Sequence, residues 1–177
     1  MASELRISGI IEESIVDGPG LRYVVFTQGC PHHCPGCHNP ETHSFEGGRM
    51  IGLDEVMAQF DENPLLAGMT FSGGEPFAQP GALAELGRMV KERKKNVVTY
   101  SGYTIEQLQT MAKQDPDVEA LLRQTDLLID GPFILAERNL DLLFRGSANQ
   151  RILDLSHYPQ VVDVTQKMED EVKTFSL

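Results

Sequence analysis

Apolar and polar positions along this chain alternate with two different periods, and the period changes at breaks rich in glycine and proline. Residues 5 to 15 (LRISGIIEESI) alternate weakly and predict a peripheral first strand. Asp17-Gly18-Pro19-Gly20 then breaks the chain, as glycine and proline together do. Leu21 to Thr27 (LRYVVFT) is β-branched and aromatic and predicts a buried strand. Apolar residues at 53, 56, 57 and 60 fall on one face of a helix, which Asn63-Pro64 ends. Short strands are expected at Gly68 to Phe71, Asn96 to Tyr100, Asp126 to Asp130 and Arg151 to Leu155. Between them lie a helix over about 80 to 94 and a further helical stretch that Pro116 interrupts. Thr104 followed by Gln107 reads as the capping box that opens the latter stretch.

Strands that alternate with helices imply βα units and a parallel sheet. The units are too few for a closed eight-fold barrel of about 250 residues. The expected fold is therefore α/β, an open partial barrel with a mostly parallel curved sheet. Residues 1–160 are expected to form a single domain and 161–177 an acidic tail of uncertain order. The polar, glycine-rich pieces each follow the carboxyl end of a predicted strand. They are a cysteine loop, Ser72-Gly73-Gly74-Glu75, Ser101-Gly102 and Asp130-Gly131-Pro132. Ligands bind at that edge of parallel sheets, so these pieces are expected to converge on one rim.

The cysteine loop, FTQGCPHHCPGCHNPET at 26–42, holds the chain's 3 cysteines in the spacing Cys-x3-Cys-x2-Cys. Its glycines and prolines exclude helix and strand, and three soft thiolates on one wrapped loop point to a metal centre. Net charge is −11, which argues against nucleic acid as a partner. The one dense basic run, Lys91 to Lys95, reads as a solvated last helical turn. No apolar run approaches the ~20 residues of a membrane span, and MASELRISG does not resemble a signal peptide. A cytoplasmic protein with reduced thiols is expected.

Taken alone, the loop also fits a structural zinc site completed by His32, His33, His38 or His43. His32 and His33 read as exposed loop residues. A cluster of four irons usually takes four cysteines, so three would leave one iron open to a small molecule. Together with the Gly-Gly-Glu turn after the second core strand, the cysteine spacing resembles the radical S-adenosylmethionine superfamily. VDGPGLRYVVFTQGC resembles the glycyl-radical activating enzymes in particular. IDGPFI (129–134) and FRGSANQRI (144–152) are similar to the anaerobic (class III) ribonucleotide reductase activases.

The resemblance implies a 4Fe-4S cluster on Cys30, Cys34 and Cys37, with S-adenosylmethionine on the fourth iron. It implies that Ser72, Gly73, Gly74 and Glu75 meet the methionine amino group, and that Gly36 and His38, flanking Cys37, lie against the adenine. Thr99, Ser101 and Asp130 become candidates for the ribose or the methionine carboxylate. The implied reaction splits S-adenosylmethionine to methionine and a 5′-deoxyadenosyl radical, which removes hydrogen from a glycine of the partner reductase. A low-potential electron donor such as flavodoxin or ferredoxin is implied as well. Two positions depart from the wider pattern: Gly36 stands where many members carry an aromatic residue. Thr99 stands where some pyruvate formate-lyase activases place an aspartate, so no metal-cation site is expected there. Pyruvate formate-lyase or another glycyl-radical enzyme is the alternative partner, and a non-catalytic zinc or iron-sulfur module the alternative of another class.

Overall fold

The computed structural model describes residues 3–175. Its eight-stranded sheet comprises β1 (Glu4–Ser14), β2 (Arg22–Thr27), β3 (Arg49–Gly52), β4 (Gly68–Gly73), β5 (Asn96–Tyr100), β6 (Leu127–Asp130), β7 (Arg151–Asp154) and β8 (Val162–Asp163). The strand order is β3-β1-β2-β4-β5-β6-β7-β8. Only the centre, β2-β4-β5-β6, is parallel. Both flanks are antiparallel, which corrects the expectation of a mostly parallel sheet. The linkers explain this. Residues 15–21 between β1 and β2 are too few for the dozen or so a parallel crossover needs. Residues 131–150 hold no α-helix, so β7 returns beside β6 in the opposite sense.

Helices α1 (Leu53–Asp61), α2 (Pro80–Glu92), α3 (Ile105–Ala112) and α4 (Pro116–Gln124) follow the predicted apolar faces. The Thr104 side chain accepts from the Gln107 amide, and the Gln107 side chain accepts in turn from the Thr104 amide, so the capping box forms. Pro116 starts α4 rather than bending α3. The main core sets Tyr23, Val25, Phe71 and Leu128 of the sheet against Leu83, Leu86, Leu108 and Leu121 of the helices, all fully buried. Each such side chain contributes about 1.5–3 kcal/mol. The basic run is less free than expected, since Lys91 pairs with Asp126 and Arg93 with Asp61.

The opposite face of the sheet carries a smaller cluster of Val98, Ile129 and Ile152. Leu143, Phe144, Val164 and Met168 pack on it. The last two flank and enter α5 (Thr165–Phe175), so the expected acidic tail contributes a strand and a helix to the fold. Among the described residues no helix is long and apolar enough to cross a membrane.

Candidate functional site

The cysteine loop leaves the carboxyl end of β2 and is closed at its base by backbone hydrogen bonds. Gly29 donates to the Thr42 carbonyl and Cys30 to the His43 carbonyl. The Gln28 side chain, buried beneath, donates to the carbonyls of Glu41 and Ser44. Inside this collar the three cysteines are free thiols, Cys30 buried and Cys34 and Cys37 half-buried. The Asn39 amide donates to Cys37 Sγ at 3.4 Å. Burial pushes the Cys30 thiol up, the nearby Glu75 and the other two cysteines add to this, and a backbone hydrogen bond from His32 opposes it. A bound cation would supply the positive charge that favours the thiolate there.

The turn after β4 is welded to this loop. The Gly74 amide donates to the Thr27 carbonyl and the Glu75 amide to the Gly29 carbonyl. Gly73 has φ +93°, and a Cβ on it would stand 2.6 Å from the Thr27 nitrogen. A Cβ on Gly74 would stand 2.4 Å from the Gly29 carbonyl oxygen. Both positions therefore require glycine because β2 and the cysteine loop come so close.

Glu75 is fully buried and saturated with hydrogen bonds. Its Oε1 lies 2.6 Å from His32 Nε2 and accepts from the Gly102 amide at 2.8 Å. Its Oε2 accepts from the Phe77 amide, and the Ser101 hydroxyl lies 3.0 Å from both oxygens. One carboxylate thus ties the cysteine loop to the ends of β4 and β5. His32, expected as an exposed loop residue, is 16% exposed and stands edge-on to Tyr103.

A cavity of about 430 Å³ opens between the cysteine loop and the 131–150 linker. Cys30, Cys34, Cys37, Ser72, Gly73 and Gly74 line one side, and Phe133, Phe144 and Arg145 come from the linker. His38 meets the Phe133 ring edge-on at 5.2 Å. The linker is internally braced: Gln150 Oε1 accepts from the amides of Gly146 and Ser147, and Asn149 donates to the Pro132 carbonyl. Phe144 holds a left-handed backbone, φ +60°, which costs on the order of 1 kcal/mol for a residue other than glycine.

A family model described as a 4Fe-4S single cluster domain matches residues 16–153. An anaerobic ribonucleoside-triphosphate reductase-activating protein from Pasteurella multocida is 37% identical over 155 residues, 81% of this chain and 94% of that one. Its counterpart from Vibrio cholerae is 35% identical over 146 residues, 78% of this chain and 90% of the relative. This chain belongs to that activating-protein family. A pyruvate formate-lyase-activating enzyme from Clostridium pasteurianum is also similar, 34% identical over 132 residues, 70% of this chain and half of its own length.

The donor set suits the group that the family's domain description names. Three free thiols share one loop beside a cavity, with a backbone amide donating to one sulfur. Among the described residues no three His, Cys, Asp or Glu side chains are placed to hold a single metal ion. A cluster asks for no such convergence, because its thiolates ligate separate irons.

Other positions implied by the family resemblance divide between cavity and framework. Ser72, Gly73, Gly74, Ser101 and His38 line the cavity with the cysteines. Four do not. Thr99 is fully buried, its hydroxyl 2.9 Å from that of Thr125 at the end of α4, because strand alternation turns Tyr100 rather than Thr99 toward the cavity. Asp130 is fully buried, accepting from the Ile105 amide and from Arg151. Gly36 packs under Leu135, and the Glu75 carboxylate is spent on the protein itself. Tyr100 and Phe133 enter the cavity lining without having been singled out as ligand-binding residues. The strand alternation through 96–100 was the available signal for Tyr100.

Proposed function

We propose that this protein is a radical S-adenosylmethionine enzyme that installs a glycyl radical on anaerobic ribonucleotide reductase. The carrying observation is the juxtaposition, in one cavity, of three free thiols with the Ser72-Gly73-Gly74 turn, in a chain of the activating-protein family. When bound, a 4Fe-4S cluster supplies the electron that splits S-adenosylmethionine to methionine and a 5′-deoxyadenosyl radical, the agent that takes hydrogen from a glycine of the reductase.

The protein's residues do the holding. Cys30, Cys34 and Cys37 would hold the cluster, and a set of three thiols leaves it open to S-adenosylmethionine. Ser72, Gly73 and Gly74 present turn backbone to the methionine end, and His38 with Phe133 bounds the cavity on the adenine side. Ser101 acts chiefly through Glu75, which fixes the cysteine loop by way of His32. Apolar walls from Phe26, Phe133 and Phe144 keep water from a reactive radical. The sheet is read as an open partial barrel, and the setting as cytoplasmic with a flavodoxin or ferredoxin as electron donor.

Mixing the reconstituted, reduced protein with the reductase and S-adenosylmethionine should give a glycyl-radical signal in electron paramagnetic resonance. Cys34→Ala should abolish it. The Clostridium relative favours a second reading, pyruvate formate-lyase as partner. The same measurement with both candidates decides between them, and a signal on pyruvate formate-lyase alone would overturn the first. About one zinc per chain with no acid-labile sulfide would replace both readings with a non-catalytic module.

A further inference from the structure

The cavity wall made by Phe144 and Arg145 is held by a residue that does not itself line the cavity. Glu169 lies on α5, beyond the 16–153 span of the family match. Its Oε1 accepts from the Leu143 amide and from Arg145 Nη2, each at 2.7 Å. These bonds bracket Phe144, the residue with the left-handed backbone. The Phe144 carbonyl in turn accepts from the Tyr100 hydroxyl at 2.9 Å.

Arg145 is 8% exposed and Glu169 14%, so the pair is largely shielded from water. Arg145 Nη1 donates to the Gln150 carbonyl, and Nε is buried with no partner. Without Glu169 the guanidinium would keep only a carbonyl contact, and a buried cation in that state is costly. Val164 and Met168 pack on the same cluster as Leu143 and Phe144. A left-handed phenylalanine persists only where its surroundings over-determine it, and here much of that determination comes from α5.

We propose that Glu169 is a positioning residue. By clamping both neighbours of Phe144 it sets the wall against which the partner's glycine-bearing segment seats, and so couples S-adenosylmethionine cleavage to hydrogen abstraction. This inference rests on the function proposed above. It assigns to the C-terminal helix a part in partner turnover rather than in cluster binding.

The test compares Glu169→Ala, which removes acceptor and charge, with Glu169→Gln, which keeps an acceptor oxygen. In the cofactor-free protein, hydrogen exchange at the Leu143 amide, which donates to Glu169, should quicken by about tenfold in Glu169→Ala, as loss of a charged hydrogen bond implies. In the reconstituted enzyme the KM for the reductase should rise by about tenfold. Iron content and 5′-deoxyadenosine formation without the reductase should stay at wild-type levels. Glu169→Gln should recover most of both effects.

Unchanged exchange in Glu169→Ala would overturn the clamp, whatever the enzyme does. Faster exchange with an unchanged KM would overturn the positioning role. Equal loss of iron, cleavage and radical transfer in both variants would mark a general folding role and also overturn it. A wild-type protein that gives the reductase no radical would instead refute the proposed function, while the exchange result would still decide the clamp.

Discussion

At the amino ends of the parallel strands Arg22 is fully buried, and at the carboxyl ends Glu75 is. Both brace a glycine-rich turn, but with different partners. Arg22 donates to Thr70 Oγ1 and to the carbonyls of Pro19, Met69 and Asn96, all parts of the framework. Burial lowers its pKa to about 10, which leaves it charged at neutral pH. Glu75 binds a histidine on the cysteine loop along with the Ser101 hydroxyl and two amides. The amino end is thus a strut whose loss should cost stability. The carboxyl end is a strut that also aims the cysteine loop, so its loss should cost chemistry first.

The sharpest way to break this contrast is Glu75→Ala. Supporting contacts of this kind are worth about 10- to 100-fold in metal affinity or activity, so iron and sulfide retention and S-adenosylmethionine cleavage should fall by that factor. Arg22→Met should leave the folded protein's cleavage rate intact and lower unfolding stability by about 2–3 kcal/mol through its stranded carbonyls, measured by urea denaturation. If Arg22→Met lost activity and kept stability, the division between the two ends would be wrong.

A smaller effect separates the two faces of β5. Thr99→Val should cost about 1 kcal/mol of stability by breaking the hydroxyl pair with Thr125 and leave cleavage at the wild-type rate. A large rise in KM for S-adenosylmethionine would return Thr99 to the ligand site. The smallest effect belongs to an exposed pair at the same edge. Arg151 holds Glu106 well below its usual carboxylate range, at about 2. A depressed folded value stabilises above the unfolded pKa of 4.5 and is lost as pH falls toward 2. Solvent screening limits the pair to about 1 kcal/mol or less. Glu106→Gln should therefore be slightly less stable than wild type at pH 7 and equal to it near pH 2, by denaturation at each pH.

Local signals account for what the chain disclosed of its fold. The β-branched runs of β2 and β5, bounded by glycine, and the Thr104–Gln107 box carry their own instructions. β3 and β8 are short and draw their order from pairing with β1 and β7, which no local pattern encodes. The antiparallel flanks depended on linker length and on what the linkers lack. At the site, the cysteine spacing announced itself because its chemistry is local. The Glu75 web joins residues 32, 75, 77, 101 and 102 and appears only when the strand ends meet. Thr99 was the candidate on β5, and only the fold shows that its neighbour Tyr100 faces the cavity instead. Glu169 gave no signal, because the tail's polar composition hides a helix anchored through one carboxylate.

The account stands on the claim that Cys30, Cys34 and Cys37 hold a cluster with one iron left for S-adenosylmethionine. Anaerobic reconstitution with iron and sulfide, then reduction with S-adenosylmethionine present, tests it most directly through the 5′-deoxyadenosine formed. The account predicts turnover by the wild-type protein and none by Cys34→Ala. Turnover that survives in Cys34→Ala, or is absent from a wild-type protein carrying about four irons and four sulfides, would contradict it.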